Sequence, residues 1–250
     1  GTSAGGLNGS LLATAIARGE ELIDLHRVWV ENGRLIQGAL IGPADAEEAD
    51  SVLDGDFFEA AVASLIPDAA PPGGTWGDQP VTLLVTASAL QGADTEAIDA
   101  QGVEFTAGDH RRVYRFRHHP QAVVWQSPIG LEPAPNDFSE SRDGLIRAAR
   151  ASAGFPFAFA PVVEPPELAA LRVDNQNQPE GANPVPNARL IDGGVLDNAP
   201  FGPLLEELWN RPRSDPGPRW VMYIVPSVDT AKPAPAETES SWSSLLGRIV

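Results

Sequence analysis

The 250-residue chain contains no cysteine. A disulfide framework, a thiol nucleophile and a metal site built on thiolates are therefore excluded. The absence leaves open whether the protein works in an oxidising or a reducing compartment.

Lysine is almost absent as well, since Lys232 is the single one and all other basic residues are arginine. A Walker-type phosphate loop and a Schiff-base lysine both need a lysine, so the sequence argues against both. The formal net charge of −17 argues against nucleic acid as a partner and against recruitment by an anionic membrane surface. An acidic surface of this kind is typical of a protein that stays soluble.

Long apolar runs are also missing, and no segment approaches the roughly 20 residues that a membrane-spanning helix needs. The first residues lack the basic and then apolar pattern of a signal peptide. Insertion of apolar side chains is the remaining route to a lipid surface, although the sequence shows no strong amphipathic helix for it. We expect a protein that is cytoplasmic or peripheral to a membrane.

The length predicts one large domain, which we place over residues 1–225. Residues 226–240 are rich in proline, alanine, threonine and glutamate, a composition typical of a linker. Residues 241–250 begin a further apolar helix.

Apolar spacing predicts helices in the first third of the chain. A buried helix is expected over residues 5–18, ended by Gly19, and a surface helix over residues 20–31. A third helix is expected over residues 57–66, with Asp54 or Asp56 as its cap.

The near-continuous apolar run over residues 81–88 predicts a strand that is covered on both faces by helices. Residues 103–105 and 112–117 alternate and predict an edge hairpin with its turn at Gly108-Asp109. Residues 220–225 predict another buried strand. The proline-broken apolar stretch over residues 154–162 is expected to line a pocket or to fill core space.

The sequence Gly1-Thr2-Ser3-Ala4-Gly5 matches Gly-x-Ser-x-Gly and leads directly into a helical pattern. We interpret it as a nucleophile elbow, a sharp turn that exposes the Ser3 hydroxyl ahead of a helix N-terminus. The alternative is a glycine-rich turn whose serine caps the helix.

A serine hydroxyl needs a base within hydrogen-bond reach, usually a histidine held by an acid. The four histidines are His26, His110, His118 and His119, and a Ser–His–acid triad requires one of them near Ser3. A carboxylate can replace the imidazole where it lies against the hydroxyl in a partly buried site. Asp192 has that setting, because it ends a strand and precedes two glycines, although Asp-Gly-Gly is also ordinary turn chemistry.

The two motifs together resemble the patatin-like phospholipase family, which carries a Ser–Asp dyad in them. They are Gly-Thr-Ser-Ala-Gly-Gly at residues 1–6 and Asp-Gly-Gly-Val-Leu-Asp-Asn-Ala-Pro at residues 192–200. The strand at 81–88 with the Leu-Gln-Gly that follows, and the segment 151–156, are similar to that family's pattern too. The resemblance spans residue 1 to about residue 225.

This resemblance implies a three-layer α/β/α fold with a central, mainly parallel sheet. It implies lipid acyl hydrolase activity on a lipid or other ester substrate, with no metal or organic cofactor. Asp192 would accept the Ser3 proton, Ser3 would attack the ester carbonyl, and water would hydrolyse the acyl-enzyme. Phe155, Phe157 and Phe159 are expected acyl-chain contacts.

One departure from the family concerns the oxyanion hole. The Ala4 N–H supplies one donor, and the second must come from elsewhere, because the family's glycine-rich loop and strand upstream of the elbow are not in this sequence. We therefore expect additional N- and C-terminal segments of the same chain. The departure also keeps open a catalytically silent domain that binds lipid or another protein.

Overall fold

The computed structural model describes residues 1–42, 51–68, 79–118, 126–127, 130–131, 136–173, 187–210 and 218–224. The chain divides into two compact units, Gly1–Pro212 and Arg213–Val250. The segment 218–224 of the second unit has no strand, and Trp220, Met222 and Ile224 are exposed. The prediction of a buried strand there is wrong for residues 220–224. The predicted linker and last helix lie outside the described residues.

A four-stranded sheet forms the centre of the first unit, in the order β2-β1-β6-β5. A separate pair, β3 and β4, forms a small second sheet. The strands are β1 (Val81–Ile98), β2 (Glu104–His118), β3 (Gln126–Ser127), β4 (Gly130–Leu131), β5 (Val162–Val163) and β6 (Arg189–Asp192).

Seven helices surround the sheet in the part of the chain that the structure describes. They are α1 (Ala4–Arg18), α2 (Leu25–Asn32), α3 (Gly55–Leu65), α4 (Asp137–Glu140), α5 (Arg142–Ser152), α6 (Pro166–Ala169) and α7 (Phe201–Asn210). The mixed helix-and-strand architecture expected for an α/β fold is thus confirmed.

Strand direction differs from the expected mainly parallel sheet, because every pair of neighbouring strands in the described part is antiparallel. The expectation of a parallel sheet came from the family resemblance. The prediction from the apolar run at the start of β1 is confirmed, because the run is buried on both faces, with Val85 and Ala87 on one and Thr86 and Ser88 on the other. Helices α1 and α5 pack against β1, and such cover produces the same pattern whichever way the neighbouring strands run.

One parallel interaction stands at the start of the chain. The Gly1 nitrogen donates to the Leu84 carbonyl, and the Thr86 N–H donates to the Gly1 carbonyl. These two bonds flank Val85 in the pattern of a parallel pair. The first residue of the Gly-x-Ser-x-Gly motif therefore lies alongside β1.

The hairpin of β1 and β2 turns between Ile98 and Glu104, so the predicted turn at Gly108-Asp109 is wrong. The Asp99 carboxylate accepts from the Gln101 and Val103 N–H groups, and Gly102 adopts φ 82°. This Asp and Gly turn chemistry closes the loop earlier, and Gly108-Asp109 becomes part of β2. The predicted position of the hairpin at the sheet edge is confirmed by the strand order.

Local signals placed the ends of α1 and α3 to within two residues, but not the start of α2. Helix α1 ends at Arg18, and Gly19 after it has the left-handed φ of 64° expected of a C-terminal glycine. Asp54, rather than Asp56, caps α3 by accepting from the Asp56 and Phe57 N–H groups. Helix α2 begins at Leu25, five residues later than predicted, with Asp24 as its cap.

Helix α1 has the buried character expected of it, because its small residues let it approach the sheet closely. Leu7 and Leu11 are almost fully buried, and Ser10 and Thr14 are buried with their hydroxyls bonded to carbonyls one turn earlier. The helix packs on β1 and on α5. This packing fixes the position of the helix N-terminus, where Ser3 lies.

Candidate active site

Ser3 occupies a strained turn between the segment beside β1 and the first residue of α1. Its φ of 54° and ψ of −135° lie in a region that side-chain-bearing residues rarely adopt. A nucleophile elbow places its serine on a strained turn of this kind, just ahead of a helix. The Ser3 side chain makes no cap hydrogen bond to α1, which disfavours the alternative in which the serine is a helix cap.

The Ser3 hydroxyl donates instead to Asp192, with 2.7 Å between Oγ and Oδ2. Asp192 is the last residue of β6, and its residue exposure is 3%. The other carboxylate oxygen, Oδ1, accepts from the Gly194 N–H at 2.7 Å. Each oxygen of the carboxylate therefore has a defined donor, and the oxygen that faces Ser3 is fixed in orientation.

Thr86 of β1 lies between the two motifs, and its closeness explains why the first residue after Asp192 is a glycine. A Cβ on Gly193 would stand 2.4 Å from the Thr86 hydroxyl and 2.5 Å from its carbonyl oxygen. No side chain fits there without displacing the backbone of β1. The Thr86 hydroxyl also bonds the Thr2 hydroxyl at 2.5 Å, so β1 holds both motifs in register.

A cavity of about 400 Å³ opens beside Ser3 and Asp192. This volume lies in the range of about 300–1,000 Å³ typical of ligand pockets. Helices α1, α2 and α3 and the segment after α5 supply an almost wholly apolar lining. The polar side chains in the lining, apart from the tryptophan indole, are Ser3, Asn32 and Asp192. The cavity thus suits an apolar chain that ends at the Ser3 hydroxyl.

The three phenylalanines expected to contact an acyl chain divide into two groups. Phe155 and Phe159 line the cavity, as the proline-broken segment predicted. Phe157 does not line the cavity, and its side chain is 89% exposed. Its expected contact with an acyl chain is therefore not made inside the cavity.

The imidazoles lie elsewhere. His26 is exposed on α2, and the His110 and His118 rings contact the Ala89 carbonyl and Asn136, respectively. None of these three lines the cavity, and His119 is outside the described residues. Within the described part of the chain, the side chain that accepts the hydrogen bond of the Ser3 hydroxyl is a carboxylate and not an imidazole.

The chain is similar to known proteins over most of its length. The family model described as patatin-like phospholipase matches residues 1–205. The chain belongs to the patatin-like phospholipase family.

A curated relative of this patatin-like chain is the uncharacterized membrane protein Rv3479 of Mycobacterium tuberculosis. The two are 29% identical over 242 residues, which cover 92% of this chain and 21% of the relative. The chain therefore spans about a fifth of that relative's length. No solved structure matches the chain.

Among the residues that the structure describes, no helix has the length and apolar character needed to cross a membrane. The same residues also contain no cluster of three or more histidines and carboxylates that could hold a metal ion.

Ala4, the predicted oxyanion donor, is the first residue of α1 and lines the cavity. The first N–H groups of a helix have no acceptor within the helix, and they carry the positive end of its dipole. The Ala4 N–H is thus available to an oxygen bound next to Ser3. This is the position from which a nucleophile elbow supplies an oxyanion donor.

Arg150 supports the cavity wall through two of its lining residues, Phe58 and Phe159, and no sequence pattern pointed to it. Its guanidinium lies 5.3 Å from the Phe58 ring and 4.6 Å from the Phe159 ring, and these rings stack at 5.1 Å. It also donates to the Gly55 and Ala160 carbonyls. Burial lowers the pKa of Arg150 to about 10, against the opposing effect of nearby acidic groups, so the side chain remains a cation at neutral pH.

Replacing Arg150 with methionine is expected to destabilise the fold by about 2–4 kcal/mol. The substitution keeps much of the side-chain volume but removes the cation–π contacts and two charged hydrogen bonds. Arg147→Met on the same helix is the control, because the Arg147–Glu59 ion pair at 3.2 Å is partly exposed and worth at most about 1 kcal/mol. Urea unfolding measures both, and equal losses would contradict the role given to Arg150.

Proposed function

We propose that this patatin-like chain hydrolyses carboxylic ester bonds of lipids, with Ser3 as nucleophile and Asp192 as base. The family supports lipid acyl hydrolase activity in general. The observation that carries the finer proposal is the 2.7 Å hydrogen bond from the Ser3 hydroxyl to Asp192. A general base has to lie within about 2.6–3.2 Å of the group whose proton it takes.

In the first half-reaction, Asp192 takes the proton of the Ser3 hydroxyl while Oγ forms a bond to the ester carbonyl carbon. The carbonyl oxygen becomes an oxyanion next to the Ala4 N–H. The tetrahedral intermediate then collapses, the bond to the alcohol breaks, and the alcohol leaves with the proton from Asp192. An acyl group remains on Ser3.

In the second half-reaction, a water molecule gives its proton to Asp192 and attacks the acyl carbon. Collapse of this intermediate returns the proton to Ser3 Oγ and releases a carboxylic acid. The apolar cavity accounts for the acyl side of the substrate, since Leu7, Val62 and Phe159 offer it no polar partner. This lining does not indicate which head group the lipid carries.

A fluorophosphonate probe tests the proposal, because it labels an activated serine and not an ordinary one. We expect the wild-type protein to be labelled, Ser3→Ala to remain unlabelled, and Asp192→Asn to be labelled far more slowly. Ser10→Ala is the matched control. Ser10 is a buried serine of α1, the helix that follows Ser3, and its hydroxyl donates to the Gly6 carbonyl. An intact wild-type protein that binds fatty acid but is never labelled would favour the silent lipid-binding domain instead.

A further inference from the structure

Helix α2 covers one side of the cavity without being buried itself. Val28 and Trp29 line the cavity, yet no residue of α2 is buried. Trp29 donates its indole N–H to Asn8 of α1 at 2.9 Å and so attaches the helix beside the mouth. The next residue, Val30, is 47% exposed. The helix therefore presents apolar surface both to the cavity and to the outside.

Two other segments continue this surface around the mouth. The Leu53 N–H donates to the Ala158 carbonyl at 2.7 Å, and the Val52 N–H approaches the Phe157 carbonyl at 3.4 Å. Leu53 lines the cavity, whereas its neighbour Val52 is exposed. Phe155 does both, since it lines the cavity and is half exposed.

The segment that follows α2 also belongs to this surface, and it meets the segment that precedes α3. The Asp54 N–H donates to the Leu40 carbonyl at 2.8 Å, and Leu40 lines the cavity. Its neighbour Ile41 donates its N–H to the Ile36 carbonyl, and both isoleucine side chains are exposed. We call the exposed set around the mouth the apolar rim. It consists of Val30, Ile36, Ile41, Val52, Phe155 and Phe157.

The backbone at Phe157 adds a second reason to read the rim as an interaction surface. A positive φ is a genuine outlier for a bulky residue, and it persists only where the surrounding structure enforces it. Here the strained backbone holds the most exposed side chain of the rim, that of Phe157, in solvent. Clustered exposed apolar side chains of this kind mark binding surfaces.

The charge of the protein decides which surface the rim fits. The chain carries a net charge of −17, and an anionic bilayer would repel it. The apolar side chains of the rim offer no cation to offset that repulsion, so a bilayer of no net charge is the better match. Because the apolar rim is continuous with the apolar cavity lining, an acyl chain could pass from a bilayer to Ser3 with little exposure to water.

We propose that the apolar rim docks this protein on the surface of a zwitterionic lipid bilayer, with the cavity mouth facing the lipid. The inference rests on the proposed function, in that the docked lipid is the substrate. The side chains insert into the interface between head groups and acyl chains, where binding strength grows with buried apolar area.

The test is flotation of the full chain with phosphatidylcholine vesicles, in a Ser3→Ala background so that the vesicles stay intact. The double substitution Ile36→Ser/Val52→Ser is expected to lower the partition coefficient at least about tenfold. Its matched control is Ile98→Ser/Val103→Ser at the β1–β2 turn, which removes the same residue types at 68% and 58% exposure, against 54% and 72% in the rim. The control is expected to bind within about twofold of its parent.

Three results with vesicles would overturn the docking proposal. One is equal vesicle binding by the rim variant and its parent, and another is an equal loss in the control. The third is stronger binding when phosphatidylserine is added to the vesicles, since this would make charge the driving force. The rim could instead bind a second copy of the chain, and sedimentation velocity in the absence of vesicles tests this alternative. A dimer that dissociates when the rim is substituted would overturn the docking proposal and assign the rim to the dimer.

Failure of the docking proposal is distinguishable from failure of the proposed function. A soluble ester, p-nitrophenyl butyrate, is expected to be hydrolysed equally well with and without the two rim substitutions when Ser3 is present. If the ester is hydrolysed normally but the rim substitutions do not change vesicle binding, the docking proposal is refuted and the proposed function stands. Rim-dependent vesicle binding with no Ser3-dependent hydrolysis would refute the hydrolase and leave the surface in place.

Discussion

Asp192→Asn is expected to lower kcat for p-nitrophenyl butyrate by about 10²–10⁴, the usual contribution of a general base. The asparagine side chain has nearly the same shape, and its carbonyl oxygen can still accept from the Gly194 N–H. It cannot take the Ser3 proton, however, because a neutral amide is a very weak base. The loss should therefore appear in turnover while the protein remains folded.

Asp197→Asn is the matched control for this substitution. Asp197 lies five residues later in the same loop and accepts from the Ala199 N–H at 3.0 Å. Its replacement is expected to change kcat by less than about threefold. Steady-state kinetics and a thermal melt of both variants provide the measurement. If Asp192→Asn retained a tenth or more of wild-type turnover, Asp192 would not be the base.

The two proposed catalytic residues were accessible from sequence because each lies in a short motif with its own backbone chemistry. The elbow needs a strained serine ahead of a helix, and the glycines after Asp192 are needed where β1 approaches. The absence of any histidine after residue 119 directed attention to a carboxylate. No local pattern encodes the hydrogen bond between residues 189 positions apart, so its prediction depended on the setting of Asp192 at a strand end and on the family resemblance.

The cavity could not be predicted in the same way. Its lining comes from three helices and the segment after α5, and the relative placement of these elements is a tertiary property. Arg150 illustrates the difficulty, because it and Arg147 occupy the same helix and look alike in sequence. The packing of α3 and of the segment after α5 around Arg150 makes it a buried contact of two phenylalanines, whereas Arg147 is a partly exposed ion-pair partner.

Errors in the strand predictions have a related cause. Gly108-Asp109 is good turn chemistry, but Asp99 and Gly102 provide a competing turn that keeps β1 and β2 paired for longer. The parallel direction was expected from the family resemblance, and the apolar run of β1 could not test it, because burial on both faces depends on the covering helices and not on the direction of the neighbouring strands.

Gly6→Ala is expected to disrupt the elbow, whereas Gly5→Ala, one residue earlier, is expected to be harmless. A Cβ on Gly6 would lie 2.3 Å from the Ser152 hydroxyl oxygen and 2.9 Å from its Cβ, while a Cβ on Gly5 meets nothing within 4 Å. Gly5→Ala should stabilise α1 slightly through the higher helix propensity of alanine. Gly6→Ala should cost about 1–3 kcal/mol, the usual penalty for overpacking a filled site.

Activity is expected to fall further than stability in Gly6→Ala, because α1 can move away from Ser152 only by shifting its own N-terminus. Ser3 lies three residues from Gly6, and misplacement of reacting groups by about 1 Å costs about 10²-fold in rate. Adding Ser152→Gly removes both atoms that collide with the new Cβ, so the double variant is expected to regain most of the lost kcat. Urea unfolding and p-nitrophenyl butyrate hydrolysis measure the four proteins side by side. A Gly6→Ala variant as active as Gly5→Ala would show that the close packing of α1 on α5 does not position the nucleophile.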